Sequence, residues 1–237
     1  TEAVELLVPI PAPTKVLLLA GNYADHIREG GDHAEEREKT FPYFFWKPPT
    51  TTLTHPESPV RIPACSPDHV DWEIELAVIL GEECKDVAEE DALRYVAGYS
   101  VCVDVSDRKM KLNPDRAERD RDRYFDWLHG KWHDTFLPMG PCVLPASDRV
   151  DPQALPMTLK VNGEVMQDAS TSQMIFPVAA VVSILSRFVT LEPGDIISTG
   201  TPSGVGAARK PPVFLKDGDM MEAQIGEIGL LRNPIKK

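Results

Sequence analysis

Cysteine is scarce and scattered in this chain. Cys65, Cys84, Cys102 and Cys142 include no C-x-x-C pair, which suits neither a zinc knuckle nor a dense disulfide framework. Long apolar runs are also missing. The stretch at residues 16–20 is far too short to span a bilayer, and no basic segment leading into a long apolar one precedes it. A cytoplasmic protein with no membrane partner is therefore expected. Basic residues are outnumbered by acidic ones, 25 to 37, giving a formal net charge of -12. That balance argues against nucleic acid or anionic lipid as a partner held by general electrostatics. The glycine-rich stretch at residues 200–206 matches neither a phosphate-cradling P-loop nor a dinucleotide fingerprint, and no H-E-x-x-H is present. The lack of a G-x-S-x-G elbow removes the simplest serine-hydrolase reading.

What the chain does have is a globular balance: 42% hydrophobic and 26% charged over 237 residues, enough for one large domain. Its 22 prolines and 15 glycines are spread out, as in many short strands joined by defined turns. Residues 1–14 read as an extended arm and 15–237 as a single domain. Strands are expected at 15–20, 41–47 and 196–199, the second as a buried aromatic strand ending in Lys47. A short helix is expected at 24–28, a charged loop at 30–40, and a helix at 88–95 with Asp86 as its N-cap. Residues 108–126 alternate charges and read as a solvated or partner-facing excursion. Asn162-Gly163 is a strong hairpin signal. A second hairpin is expected around Gly226. Residues 177–188 form the best helix, with Val178, Val181, Val182 and Leu185 on one face. The fold class is mainly β with a few helices.

The chemistry centres on Asp71-Trp-Glu73-Ile-Glu75-Leu-Ala-Val-Ile-Leu-Gly81. In a strand, residues i and i+2 project the same way, so Glu73 and Glu75 point together while Trp72, Ile74, Leu76 and Val78 face the other side. Asp104, at the end of another β-branched run, is a third candidate. Three carboxylates are hard oxygen ligands suited to Mg2+, Mn2+ or Ca2+ rather than zinc. From E-x-E alone, an acidic strand edge is the competing reading. His26 and Glu29 lie three apart on the short helix, where a carboxylate orients an imidazole as a general base; an isolated surface pair would look the same. Lys47 and Lys131 sit beside aromatics and prolines, placed either to stabilise an oxyanion or to snorkel at the surface. Backbone N–H groups of the 200–206 loop and the Thr201 hydroxyl are candidates to hold a carboxylate.

Taken in order, these stretches closely resemble the fumarylacetoacetate hydrolase family: Gly21-Asn-Tyr-Ala-Asp-His26-Ile-Arg-Glu29, Pro42-Tyr-Phe-Phe-Trp-Lys47-Pro, the Asp71 to Gly81 run, Val103-Asp104-Val-Ser, Gly130-Lys131, Asn162-Gly163 with Gln167, and Thr199-Gly-Thr201-Pro-Ser-Gly-Val-Gly. The resemblance implies a mixed β-sandwich roll, like the C-terminal domain of that family, usually homodimeric. It implies Mg2+ or Mn2+ held by Glu73, Glu75 and Asp104, with Ca2+ as a substitute, and a lid over residues 21–40. It further implies His26, oriented by Glu29, as the base that activates water, with Lys131 stabilising an oxyanion. Lys47, Gln167 and Thr201 are the implied substrate-side residues, Lys47 as support from behind. The charged run after Asp107 departs from the family pattern, and Val103 stands where an asparagine is common.

The expected activity is hydrolysis of a C–C bond in a β-diketo acid of acylpyruvate type, such as a fumarylpyruvate-like acid, to pyruvate and a carboxylic acid. The alternative is a decarboxylase or isomerase of a 2-oxo dicarboxylic acid such as oxaloacetate. A metal-stabilised binding protein is a third reading, disfavoured by the complete set of base, acid and lysine.

Overall fold

The computed structural model describes residues 5–147 and 149–237. A seven-stranded mixed sheet carries the site. It contains β1 (Val16–Ala20), β2 (Tyr43–Trp46), β3 (Leu53–Thr54), β6 (Ile74–Leu80), β7 (Val96–Val103), β9 (Leu137–Pro145) and β12 (Ile196–Ser198), in the order β2-β1-β12-β6-β7-β9-β3. A five-stranded sheet of β4 (Val60–Arg61), β10 (Pro156–Val161), β11 (Glu164–Ser170), β13 (Met220–Ile225) and β14 (Gly229–Lys236) runs in the order β11-β10-β13-β14-β4. Its inner strands pack against β6, β7 and β9, so the two sheets form a sandwich. A separate two-stranded antiparallel ribbon pairs β5 (Val70–Asp71) with β8 (Ser106–Asp107). Helices α1 (Ala24–Glu29), α2 (Asp122–His129) and α3 (Val178–Phe188) complete the fold. The mainly β architecture expected from the sequence is the one observed.

The central strand explains why the acids lie where they do. Ile74, Leu76, Val78 and Leu80 of β6 enter the large apolar cluster between the sheets. The alternate residues face a smaller cluster that includes Ala77, Phe45 and Cys102. Glu75 therefore projects on the small-cluster side, paired across the ladder with Cys102 of β7. Asp104 lies two residues beyond Cys102, and its N–H continues the ladder to the Glu73 carbonyl at 2.8 Å. Strand alternation thus delivers all three carboxylates to one face.

Local signals behave as their chemistry requires. Asn162 and Gly163 have φ of 53° and 81°, the two positive values that a tight two-residue hairpin turn needs. Val178, Val181, Val182 and Leu185 of α3 are buried in the main core. Other expectations are corrected. The aromatic strand β2 is an edge strand, with Tyr43 and Trp46 exposed by 77% and 45%; an aromatic run alone does not reveal whether both sides are covered. Residues Glu89–Tyr95 form a 3₁₀ rather than an α-helix, capped by Ala88 with no side-chain bond, while Asp86 adopts φ of 53°. Residues 108–126 are not wholly a solvated excursion. Arg108 turns inward and Asp122 begins α2. Of the arm at residues 1–14, residues 1–4 lie outside the described residues; 5–14 carry no helix or strand, and Val8 is buried in the smaller cluster. Among the described residues no helix is long and apolar enough to cross a membrane.

Candidate active site

Glu73, Glu75 and Asp104 are all buried, and each offers an oxygen within 4.8 Å of the others. Their surroundings differ. Glu75 Oε2 accepts the Ser198 hydroxyl at 2.5 Å and the Gly200 N–H at 2.8 Å, with no cation beside it among the described ion pairs. Burial, followed by the charges of Asp104 and Glu73, pushes its carboxyl well above the usual range. Glu73 is also buried, but the charges of Arg108 and Lys131 lead the contributions that more than offset that burial and hold its carboxyl well below the ordinary value. Asp104 lies between two lysines, with Lys47 Nζ 2.5 Å from Oδ1 and Lys131 Nζ 2.6 Å from Oδ2.

This donor set fits a hard divalent cation. Three carboxylates converge, one of them makes no ion pair among the described residues, and its proton affinity is raised by burial and by the repulsion of the other two, which a cation would relieve. The triad could hold a metal ion, and oxygen ligands of this kind favour Mg2+, Mn2+ or Ca2+.

Lys131 follows Gly130, the C-cap of α2, and its ammonium enters the carboxylate group. Nζ donates to Glu73 Oε2 at 2.8 Å, Asp104 Oδ2 at 2.6 Å and Ser106 Oγ at 2.9 Å. The Phe45 and Trp127 rings cover its other side, with centroids 5.2 and 5.5 Å away. Burial lowers its proton affinity, but Asp104 and Glu73 raise it further, and the net direction is upward. All three of its protons are committed to protein oxygens, so any contact with a reacting oxygen requires one to be exchanged. Lys47 is still less accessible. It is fully buried, donates to the Val105 and Phe136 carbonyls at 3.0 and 2.5 Å, and touches Asp104 from behind. Its place is that of a support for Asp104, not a direct contact for substrate; burial pulls its proton affinity down.

The His26–Glu29 pair stands opposite. Asn22 fixes the start of α1, with its side-chain amide bonded to the backbone of Phe176 and Thr199. In the first turn of the helix, His26 Nδ1 lies 2.8 Å from Glu29 Oε1, and Nε2 is 4.0 Å from Glu73 Oε1. With Nδ1–H directed at the carboxylate, Nε2 presents its lone pair to the acidic group. Glu29 is held in turn by the Gly204 N–H at 2.8 Å. The 200–207 loop therefore does hold carboxylates, and they belong to the protein: Glu75 through Gly200, Glu29 through Gly204 and Asp71 through the Ala207 N–H at 2.8 Å. Gln167 accepts from the Ile74 N–H and donates to Thr201 Oγ1 and the Pro202 carbonyl. Because Thr201 Oγ1 accepts from Gln167, its own proton is free for the cavity it lines.

Gly204 has φ of 105°, and a Cβ there would lie 2.3 Å from the Met166 carbonyl oxygen. Gly204→Ala is expected to cost about 2 kcal/mol, lowering Tm by roughly 4–8 °C. Thermal denaturation checks this.

Sequence reasoning missed Arg108, Asp71 and Trp127. Arg108 Nε donates to Asp71 Oδ1 and Nη2 to Glu73 Oε1, each at 2.6 Å, linking the ribbon to the site. Burial, then repulsion from Glu73, raises the Asp71 carboxyl to about 6 although Arg108 pulls the other way. The available signal was the i, i+2, i+4 spacing of Asp71, Glu73 and Glu75, which leaves three acids on one face in need of cations. Two cavities meet at His26, Arg108 and Trp127. An inner one of about 100 Å³ is lined by Glu73, Glu75, Lys131 and Thr201. An outer one of about 890 Å³ is framed by residues of the 21–40 segment, α2 and the 200–208 loop.

Residues 15–236 match the model for the fumarylacetoacetate (FAA) hydrolase C-terminal family. A mitochondrial oxaloacetate tautomerase of Xenopus laevis is 40% identical over 98% of this chain and 68% of its own. A human mitochondrial oxaloacetate tautomerase is 38% identical over 98% of this chain and 69% of its own. The fumarylacetoacetate hydrolase structure from Exiguobacterium antarcticum superposes with a TM-score of 0.86 at 36% identity, covering 100% of this chain and 79% of that one. A 2-hydroxyhepta-2,4-diene-1,7-dioate isomerase from Mycobacterium marinum gives 0.78 at 37%, covering 97% and 77%. The mitochondrial designation of the first two fits poorly with the cytoplasmic location expected from the sequence.

Proposed function

The chain belongs to the fumarylacetoacetate hydrolase family, and from that premise we propose that it is a metal-dependent isomerase of a small 2-oxo dicarboxylic acid, interconverting the keto and enol forms of oxaloacetate. This replaces C–C bond hydrolysis, the first expectation from the sequence, with its alternative. The observation that carries the reading is identity of 38–40% over 98% of the chain to proteins described as oxaloacetate tautomerases. The site chemistry fits it. When held by Glu73, Glu75 and Asp104, a divalent cation supplies Lewis-acid polarisation of a 2-oxo carboxylate.

The rest falls to the protein. Nε2 of His26 takes a proton from the carbon next to the ketone, and Glu29 stabilises the imidazolium that results. The same Nε2–H then returns the proton to the former ketone oxygen, so atoms and charge balance without water. Thr201 donates its free proton to a substrate oxygen, and Gln167 fixes the hydroxyl that does so. Phe45 and Trp127 screen the Lys131 ammonium from solvent, which keeps it with Glu73 and Asp104.

The test is oxaloacetate with Mg2+ or Mn2+, following enol absorbance and assaying pyruvate and carbon dioxide in the same sample, with an acylpyruvate in parallel. Faster keto–enol equilibration without pyruvate is expected. His26→Gln is expected to slow it about 100-fold. Pyruvate released from the acylpyruvate faster than oxaloacetate equilibrates would restore the hydrolase reading; pyruvate with carbon dioxide from oxaloacetate would make the reaction a decarboxylation.

A further inference from the structure

The inner and outer cavities share a wall that includes His26, Arg108 and Trp127. At about 100 Å³ the inner cavity suits the head of a 2-oxo acid, and the rest of a substrate must extend into the outer cavity of about 890 Å³. That outer space has an acidic side formed by Asp32 and Glu35, so an anionic arm needs a cation to hold it there. Two arginines line it. Arg108 is bound to Asp71 and Glu73. Arg123 makes no ion pair or side-chain hydrogen bond among the described residues. Its neighbours are already engaged: Arg116 bridges Asp122 and Asp126, and Arg119 pairs with Asp122.

The position of Arg123 is specific. It lies in the first turn of α2, four residues before Trp127, so the two share a helix face and stand roughly 5–6 Å apart along it. Trp127 walls the inner cavity, and Arg123 lines the outer one a single turn beyond. We infer that Arg123 captures the distal carboxylate of a 2-oxo dicarboxylic substrate and selects diacids over the corresponding monoacids. It is a specificity residue carried by the charged segment that departs from the family pattern. This rests on the reading that a 2-oxo acid head binds in the inner cavity.

The pair 2-oxoglutarate and 2-oxopentanoate isolates the distal carboxylate, since the five-carbon 2-oxo acid is otherwise the same. Calorimetric titration of both acids, and of oxalate as the bare chelating head, into Mn2+-loaded wild type, Arg123→Gln and Arg123→Lys reads the selectivity without turnover. In the wild type, 2-oxoglutarate is expected to bind about fivefold or more tightly than 2-oxopentanoate, as a partly exposed charge-assisted contact allows. Arg123→Gln should bring that ratio close to one and leave oxalate unchanged, while Arg123→Lys keeps part of the preference. An unchanged ratio in Arg123→Gln, or an equal loss for all three ligands, overturns the assignment. Failure of oxalate to bind the wild type overturns the inner-cavity reading itself, and this inference with it.

Discussion

Glu75→Gln is expected to reduce turnover on the order of a hundredfold or more while leaving the metal-free protein at least as stable as the wild type. The two effects share one origin. Glu75 is buried beside Asp104 and Glu73, with no cation of its own, and those neighbours push its carboxyl upward. A glutamine oxygen can still accept from Ser198 and the Gly200 N–H, and its amide then presents donors, not a third negative charge, to the other two acids. The sign follows from linkage. A carboxyl whose folded-state pKa is raised contributes stability below its ordinary value of 4.5 and loses it as pH rises through the folded value. Asp71, raised from 3.8 to about 6, acts in the same direction between those values but is common to both proteins. Glu73, held low, has the opposite sign, so its contribution is lost only as pH falls below 4.5.

The difference in Tm between chelator-treated wild type and Glu75→Gln should therefore move in favour of the variant from pH 5 to 8. Mn2+ should raise Tm in the wild type and have little effect on the variant. A variant that is less stable than metal-free wild type at pH 8 would mean that Glu75 is already compensated inside the protein, and the case for a cation there would fail.

The parts of this site that were legible are those governed by short-range rules. Period-two alternation, carried from β6 into the extended residue before it, assigns Glu73 and Glu75 to one side regardless of what the rest of the chain does. Asn162-Gly163 specifies its turn through backbone conformation alone. The His26 and Glu29 pairing follows from helical spacing. Illegible were the contacts that close across the chain. Arg108 opens a stretch of repeated charges and looks solvated, yet the β5–β8 ribbon brings it against Asp71 and Glu73. Nothing in the order of residues says which arginine of that run turns inward. Lys47 shows the same limit. Its aromatic neighbours indicate burial, but that it lies behind Asp104 instead of facing the cavity depends on Val105 and Phe136, distant in the chain. The strand before it reads as buried because Tyr43 and Trp46 are apolar enough for a core, yet they sit on a sheet edge.

Lys131→Met is expected to destabilise the metal-free protein by about 3–5 kcal/mol, roughly 6–20 °C in Tm, and to increase the stabilisation gained from Mn2+. Methionine fills nearly the same space between Phe45 and Trp127, so packing changes little. What disappears is the ammonium shared by Glu73 and Asp104. Arg108 still serves Glu73 and Lys47 still serves Asp104, but the facing oxygens of both carboxylates are then buried without a donor. A bound divalent cation meets the same oxygens, so metal binding offsets a larger penalty in the variant than in the wild type. The measurement is a Mn2+ titration of Tm in both proteins. A metal-induced rise no larger in Lys131→Met than in wild type would show that the lysine and the cation do not stabilise the same pair of carboxylates, and that Lys131 acts elsewhere than at the centre of the acidic triad.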